Sequence, residues 1–289
     1  MLDHVPHFEI ALGDAGYPAL LAELEQPPQR LYGIGAPESL QPGLAVVGAR
    51  RATPYGRTAA RILAGWAAAS GYVIVSGGAL GCDQAAHQAA LDRGGTTVAV
   101  MGCGADVCYP RRSVALFERI AANGAIISEQ PWGTEPLPWM FRLRNRIIAG
   151  LCPVLLVLEA GLPSGTFGTA EYALQAGRTV AAVPGSIFAP ECRGSNRLIA
   201  TGAPPVTDTS ELRLLLELEG VAAQADAPAA SAIVEGEDAV ERALLVNPMR
   251  PDDVAREFEM DIVTVARALG VLEATGRIRR YPDGRYGPG

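Results

Sequence analysis

Leu44-Ala45-Val46-Val47-Gly48-Ala49-Arg50-Arg51 runs from four apolar residues straight into a glycine turn and two cations. A strand with one wet face alternates apolar and polar residues, so an unbroken apolar run predicts a strand covered on both faces. A helical pattern from Thr58 to Ala69 follows it. Strand, polar turn and helix in that order form the unit of a parallel sheet, because parallel strands need a crossover to return the chain.

The unit repeats down the chain. Further apolar strands are predicted at Tyr72–Val75, Thr96–Met101, Ala125–Ile127, Val154–Leu158 and Thr179–Val183. Helices are predicted around Asp83–Leu91, Val114–Ala122, Asn145–Gly150 and Thr169–Ala176, with stops at Gly71, Gly94 and Gly177. This is an α/β chain with an extended Rossmann-like, doubly wound, mostly parallel sheet. Residues 1–40 read as an irregular lead-in packed on the core, with one short helix before Pro27-Pro28. The sheet domain occupies 41–220, and the Ala-rich stretch 221–234 reads as a linker. In 235–289, helical patterns at Asp238–Val246, Pro251–Phe258 and Asp261–Ala274 precede a basic hairpin with a Pro-Asp-Gly turn. Three helices and a hairpin predict a small winged-helix-like domain.

Ligands of open parallel sheets sit beyond the carboxyl ends of the strands. There the sequence places Gly48-Ala49-Arg50-Arg51, Ser76-Gly77-Gly78-Ala79, Gly102-Cys103-Gly104 and Ser164-Gly165-Thr166. Glycine lets an anion approach the backbone, and the following helix start favours negative charge. The plainer alternative is that each glycine only makes a tight turn. Arg50 suits bidentate contact with a phosphate, while Arg51 could as easily face solvent. Phe141-Arg142-Leu143-Arg144-Asn145-Arg146 interleaves three cations and an amide with an aromatic ring. Charge for a backbone and a π-face for a base are what a single nucleic-acid strand needs. Alternatively, Arg146 or Asn145 ties loops together internally. Trp132, Trp139 and Tyr109 lie in neighbouring loops and are either further platforms or partial core.

Composition narrows the chemistry. The chain has no lysine, so its 24 basic residues are all arginine; a Walker lysine, a Schiff base and a lysine nucleophile are excluded. Net charge is −7, yet residues 40–200 carry 14 Arg against nine acidic residues, so the sheet domain is locally basic. Five irregularly spaced cysteines and three histidines predict neither a disulfide framework nor a metal site. The first turn lacks GxGxxG and an acidic ribose ligand, so no dinucleotide cofactor is expected. Asp83 and His87 stand at i and i+4, a spacing that favours a mutual hydrogen bond or a cap over catalysis. Cys82 beside them reads as a small hydrophobe. No signal peptide or spanning segment is seen, which predicts a soluble cytoplasmic protein with no membrane role.

Taken together these residues resemble the bacterial DNA-processing protein A family (DprA, also called Smf). The resemblance rests on Val47-Gly48-Ala49-Arg50 with Thr53-Pro54-Tyr55-Gly56, then Ser76-Gly77-Gly78-Ala79 with Gly81, Asp83 and Ala86-His87. It continues through Tyr109-Pro110, Ile127-Ser128-Glu129, Arg144-Asn145-Arg146-Ile147-Ile148-Ala149-Gly150, Ser164-Gly165-Thr166 and Ala182-Val183-Pro184-Gly185. It implies a homodimer that binds single-stranded DNA without sequence preference and hands it to the RecA recombinase in natural transformation and recombination. By motif match the family's DNA pocket maps to Arg50, the Ser76-Gly77-Gly78 turn, Phe141, Arg144, Asn145 and the Ser164-Gly165 turn. Gly48, Arg146 and Thr166 join them from the turn and helix patterns above. The chain departs from the family pattern at Cys82, Gly78 and Gly168, and any lysine contact of relatives must be absent or made by arginine.

Two other functions are compatible with parts of the pattern. Nucleotide phosphoribohydrolases of the lonely-guy type carry PGGxGTxxE, but here the leading PGG is missing and Glu171 falls one residue early. One residue turns a helical side chain by about 100°. A winged-helix regulator of duplex DNA would use Arg277, Arg279, Arg280 and Arg285, but the third helix carries only Arg267 as a cation.

Overall fold

A computed structural model describes residues 4–223 and 233–288. The lead-in forms β1 (His7–Ala11), α1 (Ala19–Ala22) and β2 (Arg30–Gly35). The alternating body follows as β3 (Leu44–Val47), α2 (Pro54–Ala69), β4 (Ile74–Ser76), α3 (Cys82–Asp92), β5 (Thr97–Val100), α4 (Val114–Asn123) and β6 (Gly124–Ser128). It continues as α5 (Pro138–Leu151), β7 (Val154–Val157), α6 (Thr166–Gln175), β8 (Thr179–Ala182), α7 (Arg193–Ala200) and α8 (Thr209–Leu218).

One eight-stranded sheet has the order β1-β2-β6-β5-β4-β3-β7-β8. From β3 to β6 the parallel strands step one way; β7 then returns to the other side of β3 and continues to β8. The winding therefore reverses between β3 and β7, and the two carboxyl ends diverge into a crevice there. The strands are apolar throughout because successive residues enter different cores. Ala45, Val47, Leu155 and Val157 pack beneath α5 and α6. Leu44, Val46, Val154 and Leu156 pack beneath α2 and α8. Gly71, Gly94 and Gly177 end their helices at φ 87°, 70° and 69°, a region that favours glycine.

The lead-in differs from the irregular segment expected. β1 and β2 pair antiparallel, and β2 pairs antiparallel with β6, extending the sheet by two strands. Gly33 and Gly35 hide β2 from a propensity reading. At Gly33 a side chain would meet the Phe8 ring at 2.1 Å, so close packing across the pair sets that residue. α5 also starts earlier than expected, with Pro138 in its first turn, where proline's missing N–H is no loss. The helices α7 and α8 carried no expectation.

The C-terminal module consists of α9 (Ile233–Val246), α10 (Pro251–Glu257), α11 (Ile262–Ala274) and a hairpin of β9 (Ile278–Arg280) with β10 (Tyr286–Pro288). It has its own core of Val240, Leu244, Val254, Val265, Leu269, Leu272 and Ile278. This is a winged helix. Of the expected linker, residues 224–232 lie outside the described residues. The module sits against α2 through Glu241, whose side chain is 1% exposed. Its carboxylate accepts from Thr58 Oγ1 at 3.1 Å, from Arg277 Nε at 2.9 Å and from Arg61. A buried carboxylate needs such partners, since an uncompensated charge costs several kcal/mol.

Candidate nucleic-acid interface

A cavity of about 790 Å³ opens where the winding reverses. The turn after β3 contributes Gly48, Arg50 and Arg51; the loop after β7 contributes Gly161 to Thr166; α5 contributes Phe141, Arg142, Arg144, Asn145 and Ile148. Phe141, Arg144, Asn145 and Ile148 stand at i, i+3, i+4 and i+7, one face of a helix. Four arginines, Arg50, Arg51, Arg142 and Arg144, line it against two acidic residues, Asp83 and Glu191. The acidic chain thus keeps a positive wall at its switch point.

The two central arginines are not equivalent. Arg50 is exposed and has no hydrogen-bonded or ion-paired partner among the described residues. Arg144 is 4% exposed. Its Nη1 donates to Gly77 O at 2.7 Å and to Val100 O, and its Nε donates to Asn145 Oδ1 at 3.4 Å. It ties the carboxyl ends of β4 and β5 to α5 and forms a fixed cationic wall. Burial pushes its guanidinium down to about 10, partly offset by the Asp83 carboxylate, so it stays charged at neutral pH.

Two internal carboxylates occupy amide sites at neighbouring turns. Glu159 accepts from Thr53 N at 2.9 Å and Thr53 Oγ1 at 2.6 Å, covering the start of α2. Asp83 accepts from Gly77 N at 3.2 Å and Ala79 N at 3.4 Å. Ser76 is fully buried and donates to Val46 O at 2.6 Å. A side chain at Gly77 would meet the Arg144 guanidinium at 2.7 Å, and one at Gly78 the Phe117 ring at 2.8 Å. Ser76, Gly77 and Gly78, expected in the pocket, therefore form the wall behind the cavity and do not line it. The Gly102-Cys103-Gly104 turn is likewise absent from the lining; a side chain at Gly102 would meet the Phe141 ring at 2.9 Å. At Gly48 a side chain would meet Cys82 Sγ at 2.6 Å, so packing requires the glycine, although the residue does line the cavity.

The turn after β7 is different. Nothing lies within 4 Å of a side chain placed at Gly165. Thr166 begins α6, and its N–H donates to Ser164 Oγ at 3.2 Å. The start of a ten-residue helix, with an open glycine before it, faces the arginines across the crevice. Its dipole favours an anion there.

Arg146 departs from expectation. It is two positions past Arg144, about 200° around the helix, and pairs with Glu129 on the far side of α5. The expected Asp83–His87 bond is also absent. His87 is buried, and its Nδ1 lies 2.7 Å from Thr97 Oγ1. Thr97 donates its own proton to Ile74 O, so Nδ1 carries the hydrogen and Nε2 is bare. Burial drops His87 to about 3 and pushes the Cys82 thiol far above its ordinary range, so neither is poised for nucleophilic chemistry. Glu171 is exposed and outside the cavity, where the phosphoribohydrolase pattern would need it inside.

Among the aromatics, Phe141 lines the cavity and its ring lies 5.2 Å from that of half-exposed Tyr109. Trp132 instead bonds Glu9 and packs on His7 and Tyr32 at the β1 edge. Trp139 is 49% exposed on the first turn of α5. In the wing, Arg277 is engaged by Glu241 and Arg285 by Asp283. Pro190 and Glu191 also line the cavity and carried no sequence signal. Ile148 did carry one: it continues the helical spacing begun at Phe141. Among the described residues no cluster of His, Cys, Asp or Glu is placed to hold a metal, and no helix is long and apolar enough to cross a membrane.

The family model described as DNA recombination-mediator protein A matches residues 9–217, and one described as the DprA winged helix domain matches 222–284. Protein Smf of a Synechocystis strain is 41% identical over 204 residues, 69% of this chain but 51% of that protein; the match thus spans about half that relative's length. The X-ray structure of DNA processing protein A from Streptococcus pneumoniae superposes with a TM-score of 0.68 at 39% identity, covering 74% of this chain and 75% of that one. DNA processing protein A from Helicobacter pylori, in a structure concerned with its single-stranded DNA binding mode, gives 0.67 at 30% identity, covering 74% and 97%.

Proposed function

The chain belongs to the DNA recombination-mediator protein A family, and from that premise we propose that its switch-point cavity holds the backbone of single-stranded DNA without reading sequence and without covalent chemistry. One observation carries this reading: unpaired Arg50, the Arg144–Asn145 face of α5 and the open start of α6 line the same crevice. A guanidinium and a helix start each prefer a phosphate. Asn145 adds a side-chain amide, and Phe141 offers a π-face beside them. With these groups turned to phosphate and ring face rather than to base edges, affinity is expected to be uniform across sequences and steeply salt-dependent.

The proposed role extends to a cytoplasmic homodimer that delivers the strand to the RecA recombinase during transformation, as the family resemblance implies. Duplex binding by the winged helix is disfavoured: two wing arginines are committed to carboxylates, and α11 exposes Ile262 and Val263 with Arg267 as its cation. Competition between single- and double-stranded oligonucleotides over a salt series tests the proposal. Preference for the single strand is the expected result, and equal competition by duplex contradicts it.

A further inference from the structure

We propose that Asp83 is a positioning residue that pins the Gly77–Ala79 turn beside Arg144 in the cavity wall, and that its charge sets how strongly the cavity attracts a phosphate. The inference rests on the nucleic-acid reading of the cavity.

Asp83 is a carboxylate in the wall of a site read as holding anions, which calls for an explanation. Its oxygen takes the two amides that an incoming phosphate would otherwise find after β4. It also attracts Arg144, whose Nη1 is spent on the carbonyls at the ends of β4 and β5. With Asp83 ionised, Arg144 is neutralised locally and Arg50 supplies the uncompensated charge. With Asp83 protonated, the same wall gains one positive charge without any side chain moving.

The groups around Asp83 make that proton accessible near neutrality. Burial is the dominant influence, raising it to about 6, and Arg144, the two amides and Arg50 oppose the rise. Beside it on α3, the Cys82 thiol stays protonated; it also feels Glu159 from the β7 side and Arg57 from α2. One turn along α3, His87 stays neutral. Beyond Arg144 lies Cys103, also raised by burial. On the α4 side Gln84 bonds Ser113, and neither carries charge. The remaining histidines, His4 and His7, lie at the β1 edge, across the sheet from the cavity.

Linkage then fixes the sign. A phosphate bound beside Asp83 raises its proton affinity, so binding takes up a proton near pH 6, and affinity rises as pH falls through that range. The test uses the full chain and a thymidine oligonucleotide carrying a rhodamine label, so that neither the bases nor the dye titrate there. Affinity is measured at pH 7.5, 6.5 and 5.5, with calorimetry in two buffers of different ionisation heat to count protons. The expected result is a several-fold gain in affinity for the wild type at pH 5.5, with proton uptake. Asp83→Asn is expected to bind more tightly at pH 7.5 and to show a flat profile. A wild-type profile without slope or proton uptake overturns the proposal, and so does a variant that keeps the wild-type slope. Should the variant not fold, proton uptake by the wild type decides alone. Absence of binding at every pH overturns the nucleic-acid reading itself, whereas binding that ignores pH overturns only the role of Asp83.

Discussion

Arg144 and Arg146 are two residues apart on α5, and their guanidinium groups leave the helix on opposite sides. Arg144 joins the cavity wall through Gly77 O and Val100 O, and Arg146 pairs with Glu129 away from it. Both are buried: Arg146→Ala leaves the Glu129 carboxylate unbalanced and costs about 3–5 kcal/mol of stability, and Arg144→Ala leaves buried carbonyls bare, at about 1–3 kcal/mol each. Only the Arg144 change is expected to weaken single-stranded DNA binding by the folded protein. Urea denaturation paired with fluorescence anisotropy separates the two effects. A binding defect in Arg146→Ala equal to that of Arg144→Ala contradicts the assignment.

Phe141 lines the cavity, and its ring is the face proposed to stack a base. Phe141→Leu keeps apolar volume against Gly102 and Tyr109 but removes the π-face. It is expected to cost roughly 1–3 kcal/mol of affinity for single-stranded DNA, the range of one base–aromatic stack. Unchanged affinity would mean that this ring only packs on Tyr109.

Glu241 ties the winged helix to α2 through Thr58 and Arg61. Glu241→Gln leaves Arg61 and Arg277 without their shared counter-charge. Calorimetry is expected to resolve separate unfolding of the two modules, and proteases to cut faster within 221–234. A single transition at the wild-type temperature contradicts this role for Glu241.

His87 and Asp83 have opposite effects on acid stability. His87 falls from an ordinary value near 6.5 to about 3, so the native state binds fewer protons than the unfolded chain, and stability is lost as pH drops through that window. Asp83 rises from 3.8 to about 6, so stability is gained as pH drops between those values. The two nearly cancel between about pH 4 and 6. His87→Gln unmasks the second: relative to the variant, the wild type loses roughly 1.4 kcal/mol per pH unit on acidification. Denaturant titrations at pH 7, 6, 5 and 4 check this. A pH-independent difference between the two proteins would show that the His87 ring titrates normally in the fold.

The parallel body of the sheet was legible because each strand fills two cores and so reads as an unbroken apolar run. β2 was not, since Gly33 is chosen by the Phe8 ring across the pair rather than by strand propensity. At the site, Arg50, Asn145 and the Ser164-Gly165 turn could be read from type and position. The Ser76-Gly77-Gly78 turn could not, because a glycine that admits a ligand and one that admits Arg144 or Phe117 look alike in sequence. Asp83 was legible as a polar residue at a helix start, but helical spacing pointed to His87, whereas its partners are amides four and six residues upstream.

Arg50 is the free cation proposed to meet a phosphate. Replacing it leaves the fold intact within about 0.5 kcal/mol, as for other exposed residues without a partner. The direct measurement is the salt dependence of single-stranded DNA affinity for the wild type and Arg50→Ala. The variant is expected to bind more weakly at low salt for every sequence tried, with its log–log slope shallower by about 0.7 for the lost phosphate contact. Identical affinity and slope in the two proteins would place the DNA elsewhere on the molecule.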